Sequence, residues 1–166
     1  MATYKEIKGA TVQTRDEDPS VFAGSWSSGG ALNTARGRLA GAGSAAQTAG
    51  LAFGGTNPPS TYKTETEEYN GSAWSEQNDM NTGRDFIHGA GIQTSAACVG
   101  GHSSPTARVN TVENYNGSSW TTGTSMNVAA AGRNAAGAAY TAVIAFGGYT
   151  PGSSPGDLST GQVVQT

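Results

Sequence analysis

Charge is scarce in this chain. Only 13% of its 166 residues are charged, and nine basic against twelve acidic side chains leave a net charge of −3. No cluster of Lys or Arg makes the positive stripe that a phosphate backbone demands, so nucleic-acid binding is not expected. No apolar run approaches the roughly 20 residues that cross a bilayer, and Met1-Ala2-Thr3-Tyr4-Lys5 lacks the apolar stretch of a secretory signal. The expectation is therefore a protein made in a cytoplasm, without membrane insertion. The single cysteine, Cys98 in Ala97-Cys98-Val99, excludes an internal disulfide and reads as a small core hydrophobe. The two histidines, His88 and His102, stand at no metal-ligand spacing with Cys or carboxylates, so no metal is expected. Lys, Glu and Leu, which populate helix surfaces and cores, are sparse, which argues against a helical fold.

What the chain has instead is glycine, 25 residues of it, and a repeat of about 47 residues. Each unit holds an apolar strand ending in a glycine pair (Gly54-Gly55, Gly100-Gly101, Gly147-Gly148), and two of them continue through a loop to Tyr-Asn-Gly-Ser-x-Trp at Tyr69–Trp74 and Tyr115–Trp120. Self-similarity at that period is the signature of a propeller-type array of small sheets. Four strands fit each unit. The first is Gly/Ala-rich (Leu39–Gly43, Ile87–Gly91, Asn134–Ala138), as suits a crowded innermost position. The second is continuously apolar (Gly50–Phe53, Ala96–Val99, Val143–Phe146), which implies burial on both faces. The third alternates (Lys63–Tyr69, Val109–Tyr115), implying one wet face, and Asn70-Gly71 and Asn116-Gly117 predict two-residue type I′ turns into a fourth strand bearing Trp74 or Trp120.

The ends of the chain carry the topology. Val21–Trp26 aligns with Tyr69–Trp74 on the shared tryptophan, so the repeats are expected to begin at strand four, and Ser159–Thr166 reads as strand three. One blade is thus split between the termini, and residues 21–166 supply three four-stranded blades. Propellers ordinarily need about four to eight blades, so the expectation is a strand-exchanged homodimer closing a six-bladed ring. Residues 1–20 lie outside the repeat. Tyr4, Ile7 and Val12 among polar neighbours make this arm a candidate docking segment for a larger assembly.

The Gly-Gly, Tyr and Trp spacing resembles Kelch repeats. Leu32-Asn33-Thr34-Ala35-Arg36, Met80-Asn81-Thr82-Gly83-Arg84, Glu67–Trp74 and the opening Met1–Gly9 are similar to Kelch-like virion proteins of tailed phages of marine bacteria. The resemblance implies an all-β, Kelch-like β-propeller acting as a non-enzymatic tail-fibre or virion-surface component for host attachment, assembled in the host cytoplasm. Its partners would be other virion proteins and a host-surface glycan or protein. The alternative is a capsid or tail decoration protein that stabilises the particle without touching a receptor. The third unit departs from the pattern, with Met126-Asn127-Val128-Ala129-Ala130 in place of Asn-Thr-Ala-Arg.

No residue set announces catalysis or a cofactor. Glu65, Glu67, Glu68 and Glu113 on strand three read as edge charges rather than a convergent acid pair. The candidate binding surface is a loop face formed by Asn57, Tyr62, His102, Arg108 and Tyr149 with Arg36, Arg84 and Arg133, because aromatics, Asn and Arg on adjoining loops suit a carbohydrate or a protein. The competing reading has those arginines bonding backbone carbonyls at the ring entrance.

Overall fold

The computed structural model describes residues 25–43, 46–58 and 61–150, and the backbone of 162 and 163. It is all-β. In the first unit, β1 (Ala40–Gly43), β2 (Gly50–Phe53), β5 (Thr66–Tyr69) and β6 (Trp74–Gln77) form one antiparallel four-stranded sheet in that order. Between β2 and β5, β3 (Thr56–Asn57) and β4 (Thr61–Tyr62) make a small hairpin inside a segment expected to be plain loop. The second sheet is β7 (His88–Ile92), β8 (Ser95–Val99), β9 (Val112–Tyr115) and β10 (Trp120–Thr122). The third holds β11 (Asn134–Ala139), β12 (Ala142–Phe146) and β13 (Gln162–Val163). The glycine pairs fix equivalence between units, and the register repeats: Ala52 faces Glu67, Cys98 faces Glu113, and Ala145 faces Gln162.

The inner strands set the order of the sheets, with β7 packed between β1 and β11. They come so close that a Cβ on Gly89 would lie 2.3 Å from the Gly41 carbonyl oxygen and 2.7 Å from the Phe53 ring. Only glycine permits that approach. Between the first and second sheets lies a core of Leu51, Phe53, Met80, Ile87, Ala96, Cys98, Tyr115 and Trp120. Phe53 meets Trp120 edge-on, with centroids 4.9 Å apart. Burying a side chain such as Phe53 contributes about 2–3 kcal/mol. The Trp120 indole N–H donates across the interface to Thr66 Oγ1 (2.9 Å), and the Tyr115 hydroxyl donates to Glu68 Oε1 (3.0 Å). Burial and that carboxylate raise the Tyr115 pKa well above the usual phenol value. The second and third sheets share a smaller core of Ala90, Ala97, Val99, Val112, Met126, Val143 and Ala145. Cys98 is buried, and desolvation pushes its thiol up to about 11, in keeping with a packing role.

Among the described residues the three sheets of one chain do not close a ring, and the third sheet has three strands; Val21–Gly24, expected to supply a fourth strand, lie outside the described residues, while Ser25 and Trp26 belong to no strand and Trp26 is fully exposed. Three expectations need correction. The second apolar strand is buried on both faces in the first two units only, since Ile144 and Phe146 on β12 are each 41% exposed. Strand three is not wet on one face where it carries Glu67 and Glu113, both of which are buried. Finally, the hairpin turns sit one residue later than Asn-Gly. Asn70 N–H donates to the Ala73 carbonyl, and the Asn70 side-chain oxygen accepts from the Ser72 and Ala73 N–H groups, leaving Gly71-Ser72 as the turn with only Gly71 at positive φ. Asn116 does the same for Gly117-Ser118. The side-chain cap therefore takes asparagine out of the turn position that type I′ would give it.

Candidate functional site

The connections between units run beside the loops that follow the second strands. Isolated bridges join Gly37 to Thr56, Asp85 to His102 and Ala131 to Tyr149, and His102 also bridges Arg108. Just after each first bridging residue the backbone enters the left-handed region: φ is 55° at Arg38, 48° at Phe86 and 61° at Gly132. For a bulky residue such as Phe86 this conformation costs about 1–3 kcal/mol and is sustained only by its surroundings.

Those surroundings are a row of three rings with a cation at each end. The Arg38 guanidinium lies 4.6 Å over the Phe86 ring, and Phe86 packs edge-on against His102 at 5.4 Å. His102 packs edge-on against Tyr149 at 5.8 Å, and Arg108 covers the Tyr149 ring at 4.7 Å. Beneath them Asp85, with its side chain 4% exposed, faces Arg38 Nη1 at 3.4 Å and His102 Nδ1 at 3.5 Å. The second contact is too long for a good hydrogen bond and leaves Asp85 Oδ1 without a bonded donor among the described residues. Burial lowers the His102 pKa; Asp85 opposes that shift, and Arg108 and Arg38 reinforce it. The imidazole is therefore neutral at neutral pH. Tyr62, at the edge of the cluster, has its pKa raised by burial and by Asp85. Beside the row, Arg38, Phe86, His88 and the inner strands β1 and β7 line an open cavity of about 400 Å³. Flat rings with cations on their faces suit stacking against other flat amphipathic groups, such as sugar rings or aromatic side chains.

Of the residues named from sequence, His102, Arg108 and Tyr149 meet in this row, and Tyr62 borders it. Asn57 sits in the β3–β4 hairpin, paired with Thr61. Tyr4, Ile7 and Val12 lie outside the described residues. Arg36, Arg84 and Arg133 do not reach the surface. Arg84 and Glu113 form an ion pair of 2.7 Å with side chains 0% and 1% exposed, and Arg84 also donates to the Gly100 and Thr111 carbonyls. Glu113 in turn accepts the Asn81 N–H at 2.7 Å. The first unit repeats the arrangement: Arg36 pairs with Glu67 and bonds the Gly54 and Thr34 carbonyls, while Glu67 accepts the Asn33 and Thr34 N–H groups. Each pair ties the incoming connection to strand three of its own unit. A guanidinium so engaged would have to abandon a buried carboxylate to touch a ligand.

The third unit explains its own departure from the pattern. Ala130 stands where Arg36 and Arg84 stand, and Gln162 takes the register position of Glu67 and Glu113, so cation and carboxylate are lost together. Arg133 instead occupies the place of Leu39 and Ile87. Its Nη2 donates to the Val128 carbonyl, equivalent to the Thr34 carbonyl that Arg36 holds, while Nε and Nη1 have no partner among the described residues and burial lowers its pKa. Sequence reasoning missed Arg38, Asp85 and Phe86. The available signal was Gly132, whose presence at the same repeat position marks a positive φ.

Glu67 gives a pH prediction. Burial pushes its pKa up, but the bonds from Arg36, Asn33 and Thr34 outweigh this and hold it below 4.5; Glu65 is held below 4.5 in the same way, by Lys63 and backbone N–H groups against burial. A carboxylate depressed in the fold binds fewer protons there than in the unfolded chain, so its stabilisation is complete above 4.5 and is lost as pH falls through the lower folded value. The depressed histidines His88 and His102 add a loss that begins below 6.5. Urea midpoints are expected to be level between 6.5 and 9, to decline above 9, where the Cys98 thiol ionises in the unfolded chain before it does in the fold, to decline gently below 6.5 and to fall steeply below 4.5. A midpoint rising on acidification below 6.5 would contradict these assignments.

No family model matches the chain, and no curated protein matches it.

Proposed function

We propose that this chain is a non-enzymatic structural protein of a tailed-phage virion, a tail-fibre or surface component whose Kelch-like blades, completed to a six-bladed ring by a second copy, present loops to the host surface. The observation that carries the reading is the row of Arg38, Phe86, His102, Tyr149 and Arg108 at the loop end of the blades. Backbone strain is spent there on holding aromatic and cationic side chains side by side, whereas the buried Arg–Glu pairs serve the scaffold. The Kelch-like spacing and the phage-like N-terminal sequence support the same reading. The arm of residues 1–20 would dock onto other virion proteins, and the exposed partner would be a glycan or protein of the cell envelope.

Banded phage particles carrying this gene are expected to yield peptides of the chain, and antibody against the His102–Arg108 loop is expected to slow adsorption to cells. Particles without the peptides would sink the virion reading. Particles that contain them, but adsorb normally with antibody bound, would make the chain a decoration protein that coats or cements the particle.

A further inference from the structure

The row of three sheets ends in two unlike faces. On the third sheet, Ile144 and Phe146 project from β12 and are each 41% exposed. Their equivalents are Leu51 and Phe53, which are 2% and 0% exposed because the second sheet covers them with Ala96, Cys98, Tyr115 and Trp120. On the first sheet, the opposite face carries Gly50, Ala52, Tyr69 and Trp74, the equivalents of those four covering residues. Tyr69 and Trp74 are only partly buried, yet their rings stand 5.1 Å apart at 39°, against 5.0 Å and 36° for Tyr115 and Trp120. The receiving surface is thus already formed with no sheet in front of it among the described residues.

We infer that these faces are the two halves of one interface and that a second copy of this chain joins them, Phe146 and Ile144 of each protomer seating on Tyr69 and Trp74 of the other. The chain supplies the template: its own first and second sheets meet through the same residue types in the same register. The segment before β1 marks where the partner's sheet belongs. Gly30 lies against the Ser72 carbonyl and accepts the Trp74 indole N–H at 3.1 Å, just as Asn78, its equivalent at the end of β6, donates to the Ser118 carbonyl at 2.6 Å. Residues 29 and 30 therefore occupy the position of a sheet preceding the first one, and the chain reaches Trp74 from that place. Trp26, fully exposed in one chain, is the strand-four tryptophan that the three-stranded third sheet of a partner lacks. Two copies make six blades, inside the range of about four to eight that closes well. The head-to-tail contact occurs twice about a twofold axis, so no sheet face is left to grow a filament. This inference rests on the ring in the reading above and is independent of the virion assignment.

The test uses the full chain and two charge variants, Phe146→Asp and Trp74→Arg. Light scattering on the wild type is expected to give the mass of two chains. Each variant alone is expected to give one chain with an unchanged β-type circular dichroism spectrum, because neither side chain is buried within its own chain. Mixing the two is expected to restore the two-chain mass, since one contact keeps the native Phe–Trp pair and the other gains a carboxylate opposite a guanidinium. A wild-type chain that stays single at all concentrations, or forms a three-chain species, would overturn the inference. So would a two-chain mass that survives Phe146→Asp, or a mixture of folded variants that stays monomeric. Presence in the virion is read separately, so either claim can fail without the other.

Discussion

Replacing Glu113 with alanine is expected to destabilise the fold by about 3–5 kcal/mol, the usual result of removing one partner of a buried ion pair. The site leaves little room for repair. Arg84 is fully buried, its Nε has no partner among the described residues, and after the substitution its charge would face the Gly100 and Thr111 carbonyls alone among them. The Asn81 N–H, held at 2.7 Å by the second carboxylate oxygen, would be orphaned as well. For a domain of this size the loss corresponds to a drop in Tm of roughly 10 °C, readable by circular dichroism. The pair Arg84→Ala with Glu113→Gln, which copies Ala130 and Gln162 of the third unit, is expected to cost less than Glu113→Ala alone, because no cation is left uncompensated. A single variant costing under about 1 kcal/mol would mean that water reaches Arg84 and that the pair behaves as a surface bridge.

The repeat legible in the sequence located the strands well. β2 coincides with its expected bounds, β1, β8, β11 and β12 differ by one residue at one end, and β7 is shifted by one residue at both ends. These features are local: glycine pairs stop the strands, and small residues mark the inner positions. The role of the arginines was less accessible, because alternation along strand three does not say which face meets the incoming connection. It needed the joint observation that Arg36 with Glu67 and Arg84 with Glu113 recur at similar separations, while the third unit loses both members. The ring-and-cation row was half legible. His102, Arg108 and Tyr149 stand out as loop residues, whereas Arg38 and Phe86 are brought to them by a left-handed backbone that only Gly132 betrays. The exposure of Phe146 was hidden by its own strand, whose sequence is as apolar as its covered equivalents.

The second glycine of each pair should be among the least replaceable positions in the scaffold. Gly55, Gly101 and Gly148 have φ of 100°, 101° and 91°, outside the left-handed well that other residues reach, while Gly54, Gly100 and Gly147 sit within it at 62°, 59° and 69°. At Gly101 a Cβ would also lie 2.4 Å from Ile87 Cγ2 and 2.6 Å from the Asp85 carbonyl oxygen. Relief would have to displace Ile87 from the first core or break the bridge between Asp85 and His102 beneath the ring row. Gly101→Ala therefore combines backbone strain with overpacking, and about 3–5 kcal/mol is expected. Gly147→Ala is the control. Its φ is tolerable and nothing among the described residues lies within 4 Å of the added carbon, so only the left-handed conformation is penalised, by about 1–2 kcal/mol. Equal costs at the two sites, measured by urea titration, would show that Ile87 yields easily and that the glycine pair acts through backbone conformation alone. A larger loss at Gly101, with the His102–Tyr149 packing disturbed, would tie the stability of the scaffold to the geometry of its loop face.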